Sequence, residues 1–574
     1  MKQVIFKFSR KDALAVLALA GLAVLSWLPR LNGPIDLRWD GGAYYVLGTS
    51  LAQGNGYRLL NEPGEIQTTL HPPMLPVIVA LHQIALGTND PVIIGLWLRR
   101  FYLLLFVAYI VAVYLMCRAF LPTGYALLAA LVCLLQLHTV FMSDLCFPEI
   151  PFALATILFT LCNLKETGRS NGFLCVPLAI TSFVLRTIGV ALLAAWIVES
   201  VCQRRFKQSA GRMLLAAAVI LCWVGIIAHV ESSSEYKNQA YEYQRADYNY
   251  INVSYANNVK YKDPFSPELG YASLLDKGKH FLRNLARMPV TLGEAVSTRE
   301  SVWDLLQSEV NRRVGAMVLP AWVVRLVLFL FAAFIFWGTG ILLAARQYFI
   351  PIYVLFSVAV VCATPWPVQF NRYLSPLAPF LSLSLFMAVQ EAVRRLPTTS
   401  FVKPQLFKLG LVSAPVLLIF GAQISTLVLA YTKWHQKVNY EALDGKRIEY
   451  QLFFYHGLYK ATDAGLDWLK GQAKSGGVVA ATNPQWAYLR TGMKSVLPPL
   501  ETDAETAQRL LDSVPVKFLI VDEGDFKKYT TRVVAAYPDR WRRVYADSIP
   551  KKDNNQEADK FEIYERIYEN REPD

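Results

Sequence analysis

The 574-residue sequence lacks the cysteine and glycine patterns that mark metal, disulfide or nucleotide sites. It has no CxxC pair, and its eight cysteines all lie in or beside apolar segments, so neither a disulfide framework nor a zinc site is predicted. We interpret these thiols as small buried hydrophobes. A Walker motif, a GxGxxG after a strand and an HExxH are also missing. We therefore expect neither a bound metal nor a soluble cofactor.

Apolar residues dominate the composition instead, with 54% of the sequence hydrophobic and 13% aromatic. Runs of roughly twenty apolar residues recur, and each is long enough to cross a hydrocarbon core of about 30 Å. The net charge of +13 could point to a nucleic acid. However, many basic residues stand in short links between apolar runs, as topology signals do. The pattern predicts a polytopic membrane protein with no nucleic-acid partner.

The basic residues also predict the orientation of the chain. With a cytoplasmic N-terminus, Arg118, Arg169 and the basic clusters at 204–212 and 394–403 all fall inside, whereas the turn at 143–149 carries acids and no bases. We expect an uncleaved first span and an outside C-terminus. The predicted spans lie near 12–29, 98–117, 122–141, 148–164, 172–185, 187–201, 212–230, 319–345, 348–366, 371–390 and 406–431.

The apolar run at 172–201 is interrupted by Arg186. It is too long for one upright helix and short for two full spans. A single crossing would put Arg169 and the cluster at 204–212 on opposite sides of the membrane. Two short helices that meet at Arg186 keep both inside, and irregular backbone is tolerated in a membrane where it lines a cavity. We therefore predict a broken hairpin, which brings the total to eleven spans.

The resulting fold class is a polytopic α-helical membrane domain, 1–431, followed by an extracytoplasmic α/β domain, 432–574. The membrane domain has outer loops at 30–97 and 231–318. An apolar piece in the first loop, 71–86, is short for a span and predicts a helix along the interface. The second loop opens with tyrosines, which suit the membrane–water boundary, and ends in helical periodicity. The tail alternates helical and strand patterns.

A polar segment follows the first span directly, and it contains Asp36 and Asp40. Asp40 precedes Gly-Gly and a helix-forming run, so one interpretation is that it only caps a short interfacial helix. The other is that its carboxylate deprotonates an acceptor at the edge of the bilayer, as a general base would. Asp36 is the weaker candidate for that role.

Two further acids, Asp144 and Glu149, stand in the turn between the third and fourth spans. Glu149 lies in the first turn of the fourth span, where the helix dipole favours a negative charge. These acids either belong to a solvated turn or join Asp40 around an acceptor or sugar hydroxyl.

Several basic side chains are predicted at the same outer level. Arg372 enters the tenth span between prolines, and Arg186, Arg99, Arg100 and His71 stand nearby in the topology. Ionisable groups at membrane depth are costly and tend to mark function, and the arginine fork suits phosphate oxygens. Snorkelling is the alternative for each of them, and for Arg99 and Arg100 in particular.

The chain resembles the GT-C superfamily of integral-membrane glycosyltransferases, and within it the bacterial group that includes aminoarabinose transferases and protein O-mannosyltransferases. The resemblance rests on short motifs in a shared order: "DGGAYY", "LAQGNGY", "HPPMLP", a Pro-Glu pair entering the fourth span, "LRTIGV" and "RYLSPLAP". It implies that Asp40 is the catalytic base and that Arg372 and His71 contact a polyprenyl phosphate. The full set of expected site residues is Asp40 as base; Arg372, His71 and Arg186 for the donor phosphate; and Asp144, Glu149 and Tyr44 for the acceptor or sugar.

The implied function is inverting transfer of a sugar from a polyprenyl-phosphate donor to a hydroxyl acceptor on a lipid, glycan or protein. It would take place at the outer face of the plasma membrane, with the loop at 231–318 as a lid. Two other classes stay open: a transporter or flippase of a lipid-linked or envelope substrate, and a non-enzymatic membrane-anchored envelope assembly protein. A transporter tends to have internal repeats and broken helices near the midplane. Here the polar groups gather at the outer surface instead.

Overall fold

The computed structural model describes residues 8–165, 172–314, 320–395, 404–441, 445–473, 476–522, 524, 526–549 and 559–567. The predicted cytoplasmic Arg169 and the residues 396–403 of the second basic cluster lie outside this part of the chain.

The described chain is mainly helical, with strands confined to the C-terminal part. The helices are α1 Arg10–Trp27, α2 Asp40–Ala52, α3 Met74–Leu86, α4 Pro91–Arg118, α5 Thr123–Leu135, α6 Leu137–Asp144, α7 Glu149–Lys165, α8 Gly172–Leu185, α9 Val190–Cys202, α10 Phe206–Ser232, α11 Ser234–Lys237, α12 Tyr255–Asn258, α13 Leu274–Val296, α14 Glu300–Val314, α15 Ala321–Ala344, α16 Phe349–Cys362, α17 Phe370–Leu374, α18 Ala378–Arg395, α19 Pro404–Leu429, α20 Gly457–Gln472, α21 Pro484–Thr491, α22 Ala504–Asp512 and α23 Lys527–Ala536. The strands are β1 His435–Glu441, β2 Arg447–Phe453, β3 Val478–Ala480, β4 Ser495–Val496, β5 Val516–Val521, β6 Trp541–Ile549 and β7 Asp559–Arg566.

The chain is a multi-pass membrane protein. Within the described residues, six helical segments are long and apolar enough to cross a bilayer, and the pair α5 and α6, bent by 54°, makes a seventh if it is one span. Four shorter apolar helices (α7, α8, α9 and α16) coincide with the remaining predicted spans. The helical membrane fold is confirmed, and the total of eleven crossings stays a prediction.

The predicted break at Arg186 is confirmed. Helix α8 ends at Leu185, Arg186 is extended with φ −151° and ψ 133°, and a 3-10 turn leads into α9 at Val190. A Cβ on Gly189 would stand 2.8 Å from the backbone of Phe183, so the chain folds back closely on the end of α8. Only glycine fits that approach, which explains why "LRTIGV" carries one.

The chain divides into two compact units. The first is Met1–Leu31, Arg99–Ile220 and Gly278–Lys433, and the second is Asn32–Leu98, Leu221–Lys277 and Trp434–Asp574. The predicted outer loop 231–318 is therefore divided, with its first part in the second unit and α14 and most of α13 in the first. It does not form one separate body.

The second unit contains the predicted α/β fold of the tail. A five-stranded sheet has the order β4-β3-β5-β7-β6, in which β4, β3 and β5 are parallel and β7 is antiparallel to both neighbours. β1 and β2 form a separate antiparallel pair. The tyrosine-rich stretch packs into this unit's core: Tyr241 and Tyr243 are 4% and 2% exposed, and the Tyr243 hydroxyl donates to the Leu497 carbonyl. Their expected interfacial location is wrong, because they fill the core beside the sheet.

Helix α3 packs on α2 within the same unit. A Cβ on Gly48 would lie 2.6 Å from Val79, so the two helices approach at a glycine. The opposite face of α3 exposes Val77, Leu81 and Ile84. This apolar face is consistent with the predicted interfacial helix, which stays a prediction.

Candidate active site

Glu149 brings two arginines together in the first unit. Its Oε1 accepts hydrogen bonds from Nη1 of Arg186 at 2.7 Å and from Nε of Arg372 at 2.6 Å. The glutamate side chain is 1% exposed, and the two arginines keep 13% and 15% exposure. One carboxylate shared by two guanidinium groups leaves a net charge of about +1. The cluster is thus a partly exposed cationic site held in place by a buried acid.

These three side chains come from a helix start, a helix break and a very short helix. Glu149 is the first residue of α7, where the helix dipole stabilises its charge. Arg186 stands at the break between α8 and α9, and Arg372 lies in the five-residue helix α17, flanked by 3-10 turns. The Arg372 guanidinium lies 4.2 Å from the centre of the Phe147 ring, which fixes its plane by a cation–π contact.

Asp144 belongs to a different and fully buried cluster of the same unit. Its Oδ1 is 3.2 Å from Nη2 of Arg99 and 3.8 Å from Nη1 of Arg30, and all three side chains are 0–1% exposed. Arg30 also donates to the Ser143 hydroxyl at 3.0 Å, and its guanidinium lies 3.9 Å from the centre of the Trp27 ring. A charge cluster with so little exposure is suited to fixing helices, not to meeting a substrate.

Two expectations from the sequence are corrected here. The solvated-turn interpretation is wrong for both Asp144 and Glu149, because each is 1% exposed and paired with arginine. Snorkelling is wrong for Arg99, which is 1% exposed and points to Asp144. Arg100, by contrast, is exposed.

A further acid, Glu294 on α13, escaped the sequence analysis. Its carboxylate accepts hydrogen bonds from the side-chain amide of Asn371 at 3.1 Å and from the backbone N–H of Glu300. Burial raises the pKa of the Glu294 carboxyl. Because Asn371 directly precedes Arg372, this contact fixes the segment that presents the arginine. In the sequence, only the "FNRYL" motif, which contains Asn371 and Arg372, pointed to this part of the site.

Asp40 is the first residue of α2 in the second unit, and the residue before it is strained. Trp39 has φ +56° and ψ −133°, a backbone region that is costly for any residue but glycine. Such strain persists only where the surroundings hold it, and it concentrates at functional sites. Trp39 also occupies the N-cap position, so the alternative that makes Asp40 the cap is wrong by one residue.

The strained tryptophan is held from two sides. Its Nε1–H donates to the Tyr459 hydroxyl at 3.2 Å, with the two rings edge to face at 5.5 Å. The Arg38 guanidinium lies 4.7 Å from the Trp39 ring and 4.6 Å from the Tyr459 ring. The Arg38 fork also binds the Asp36 carboxylate and donates to the Phe453 carbonyl at 2.7 Å.

Asp36 is therefore a scaffold residue. Burial disfavours the charge of Arg38, but the adjacent Asp36 carboxylate outweighs it and raises the pKa of the guanidinium. The ion pair, with both side chains 1–2% exposed, ties the segment before α2 to the end of β2.

Tyr44 and His71 meet in the second unit. Their ring centres are 4.8 Å apart, and the Tyr57 hydroxyl donates to the His71 carbonyl at 2.9 Å. Tyr44 follows Asp40 by four residues on α2, so the two lie on one helix face.

The structure thus collects the expected site residues into three groups. Glu149, Arg186 and Arg372 form one in the first unit, Asp144 stands apart with its own arginines, and the second unit carries Asp40 with the Tyr44–His71 pair. No group of three or more His, Cys, Asp or Glu side chains that could hold a metal is found among the described residues. The arginines of the first group suit recognition of an anion. In the second unit, the Asp40 carboxylate directly follows the strained Trp39.

No protein-family model matches this sequence, and no curated protein matches it. Solved structures do resemble it. The oligosaccharyltransferase AglB from Archaeoglobus fulgidus, in complex with an inhibitory peptide and a dolichol-phosphate, superposes with a TM-score of 0.52 and 12% identity, over 94% of this chain and 73% of that chain. The same organism's enzyme in the apo form gives 0.52 and 13%, over 91% and 70%. ArnT from Cupriavidus metallidurans bound to undecaprenyl phosphate gives 0.48 and 10%, over 95% and 97%.

The likeness to the two Archaeoglobus fulgidus structures shows the fold. The chain has the fold of integral-membrane glycosyltransferases, the GT-C fold, over most of its length. Within that fold, this chain combines a helical membrane part with a sheet-containing C-terminal part. The fold expected from the sequence motifs is confirmed.

Proposed function

We propose that this protein transfers a sugar from a polyprenyl-phosphate donor to a hydroxyl acceptor at the outer face of the plasma membrane. The observation that carries the proposal is the pair of hydrogen bonds from Arg186 and Arg372 to a single oxygen of Glu149. Two guanidinium groups held by one buried acid are a preformed receptor for an anion.

The donor phosphate is assigned to this arginine pair. The cluster's net charge of about +1 complements the single negative charge of a sugar phosphodiester. Glu149 aligns both guanidinium groups before the donor arrives, so little reorganisation is needed when it binds. The archaeal AglB structure, a complex with a dolichol-phosphate, supports a lipid phosphate as the class of ligand.

Asp40 is proposed as the base. Its carboxylate begins α2 directly after the strained Trp39, and strain of this kind is maintained where geometry matters to function. Tyr44 is proposed to contact the acceptor or sugar, and His71 the donor phosphate. Asp144 is assigned to the scaffold instead.

The reaction is a single displacement. The acceptor oxygen attacks the anomeric carbon as the bond from that carbon to the phosphate oxygen breaks. The acceptor proton passes to the Asp40 carboxylate, and polyprenyl phosphate leaves with its new charge stabilised by Arg186 and Arg372. Attack from the face opposite the phosphate inverts the anomeric configuration. A strong acid is not needed, because phosphate is a good leaving group.

Mass spectrometry of envelope lipids and glycans, with and without the gene, identifies the sugar and the acceptor class. The purified protein in liposomes is then given the matching polyprenyl-phosphate sugar and acceptor. The proposal expects a covalent product of inverted configuration and release of polyprenyl phosphate. Movement of the lipid-linked sugar across the bilayer with no covalent change would overturn it in favour of a transporter.

A further inference from the structure

Helix α13 has three distinct faces. Taken at 100° per residue, its packed residues, its exposed leucines and its exposed basic residues fall in sectors whose centres are roughly 110–130° apart. Few helices of a folded protein divide in this way, since a surface helix normally has one apolar face and one polar face.

The packed face joins α13 to the end of α16. The side-chain amide of Asn284 donates to the Cys362 carbonyl at 2.9 Å, and Nε2 of His280 lies 2.9 Å from the Thr364 carbonyl. Asn284 and Met288 are buried on this side. These contacts anchor the helix and thereby fix the orientation of its other two faces.

The second face is an exposed leucine stripe. Leu274, Leu275, Leu282 and Leu285 are 89%, 66%, 65% and 44% exposed. Four large apolar side chains on one sector of a helix would be costly to keep in water.

The third face is a basic stripe of Lys279, Arg283 and Arg287, spaced four residues apart and all exposed. The acid on this side, Asp276, bonds the Ser273 backbone and hydroxyl at the helix start. Three cations and one acid therefore leave a net positive charge beside the leucine stripe.

We propose that α13 lies in the surface of the bilayer, with its leucine stripe among the acyl chains and its basic stripe on the phosphates of anionic phospholipids. The occupant of this surface is the membrane itself. This surface is separate from the arginine pair assigned to the sugar donor, so the inference does not depend on the proposed reaction.

Lipid fits both stripes better than a protein partner does. An anionic bilayer surface offers an apolar layer directly beneath a layer of negative charge, which is the order that adjacent leucine and basic faces require. The long arms of Lys279 and the two arginines allow their charges to rise to the phosphates while the helix axis stays low. A protein interface of this size would more typically be built around aromatic side chains.

The test places a nitroxide spin label on either face of the full-length protein in vesicles. The labelled variants are Leu282→Cys and, as the matched control one residue away, Arg283→Cys, in a background with the exposed Cys202 and Cys222 changed to serine. Oxygen concentrates in the acyl region and a nickel chelate stays in water. The label at 282 should show about a fivefold higher ratio of oxygen to nickel accessibility than the label at 283. Leu275→Cys serves as a second probe of the leucine stripe.

The lipid charge is tested by comparing pure phosphatidylcholine with vesicles that contain about one third phosphatidylglycerol. The label at 282 should sit deeper in the anionic vesicles. That difference should disappear when Lys279, Arg283 and Arg287 are all changed to glutamine. Equal nickel access at 282 and 283, or equal depth in both vesicle types, would overturn the proposal. Shielding of 282 from both reagents would also overturn it, in favour of a protein partner.

Discussion

The Nε of Arg372 lies 2.6 Å from Oε1 of Glu149, although 223 residues separate them in the chain. The same oxygen accepts a hydrogen bond from Arg186. The acid thus neutralises half of the charge that two neighbouring arginines would otherwise carry together. An anion that binds here meets two guanidinium groups that Glu149 has already aligned.

Replacement of Arg372 by lysine should impair use of the lipid-linked donor. Lysine keeps the charge but loses the planar fork that spans Glu149 and a phosphate. We expect kcat/KM for the donor to fall about 10²-fold, which corresponds to about 2.7 kcal/mol. Steady-state transfer assays in proteoliposomes measure it.

A matched control exists on α14. There Arg312 and Arg313 share Glu309 in the same two-to-one arrangement, but with both arginines 77–78% exposed. Arg312→Lys should leave kcat/KM unchanged. Equal loss in Arg312→Lys and Arg372→Lys would mean that the donor does not depend on the Glu149 group in particular.

Asp144→Asn should affect stability, with little effect on chemistry. It leaves Arg30 and Arg99 buried without their carboxylate, which typically costs about 3–5 kcal/mol. Thermal unfolding followed by size-exclusion chromatography in detergent should show a clearly lower midpoint, while turnover per folded molecule stays near normal. Glu309→Gln is the exposed control and should not shift the midpoint. A normally stable Asp144→Asn protein with no turnover would instead show that Asp144 takes part in catalysis.

Tyr459→Phe should slow the chemical step while leaving donor binding intact. The variant keeps the ring contact with Trp39 and removes the hydroxyl that accepts its N–H. The strained turn before Asp40 then loosens, and we expect kcat to fall roughly 3- to 10-fold at unchanged donor KM. A fall in stability with kcat preserved would make Tyr459 a purely structural residue. Tyr488→Phe, in the neighbouring helix α21, is the control tyrosine.

Stability of the second unit should fall as pH rises from about 4.5 to about 7. Burial raises the pKa of Glu62 from 4.5 to about 7, where it accepts a hydrogen bond from the Tyr241 hydroxyl at 2.7 Å. Between these values the folded state holds a proton that the unfolded state has lost, so a rise in pH disfavours folding by about 3 kcal/mol at most. Below pH 4.5 both states are protonated and the penalty is absent.

Unfolding midpoints across this pH range, for the parent and for Glu62→Gln, measure the effect. The variant should lose this part of the pH dependence and gain stability at neutral pH. Glu242→Gln, at an exposed position, should match the parent. A parental slope that survives in Glu62→Gln would show that another group titrates.

Much of the membrane fold follows from local pattern. Hydropathy located the helices, and an arginine in the middle of an apolar run located the break at Arg186, because both signals act within a single segment. In the tail, the patterns of "GLDWLKGQAK" and "DAETAQRLLDSV" likewise predicted helices α20 and α22, and those of "GGVVAAT" and "VKFLIVDE" predicted strands β3 and β5. The β1–β2 pair was not predicted, since β1 reads "HQKVNYE" and its strand state depends on its partner.

The sequence did not predict which acid pairs with which arginine. The motifs indicated two outer acids and several arginines, but nothing local says that Glu149 takes Arg186 and Arg372 while Asp144 takes Arg30 and Arg99. Those choices depend on how distant helices pack. The location of Tyr241 and Tyr243 also depends on packing. Tyrosines suit a membrane interface, but here the tertiary fold buries these two in a core.

The central claim is that Asp40 removes the acceptor proton. The measurement that tests it most directly is the single-turnover rate of sugar transfer by Asp40→Asn in proteoliposomes loaded with the lipid-linked donor. The account predicts a rate about 10²- to 10⁴-fold below the parent, with normal donor binding and a normal size-exclusion profile. Transfer at the parental rate by a correctly folded Asp40→Asn protein would contradict it.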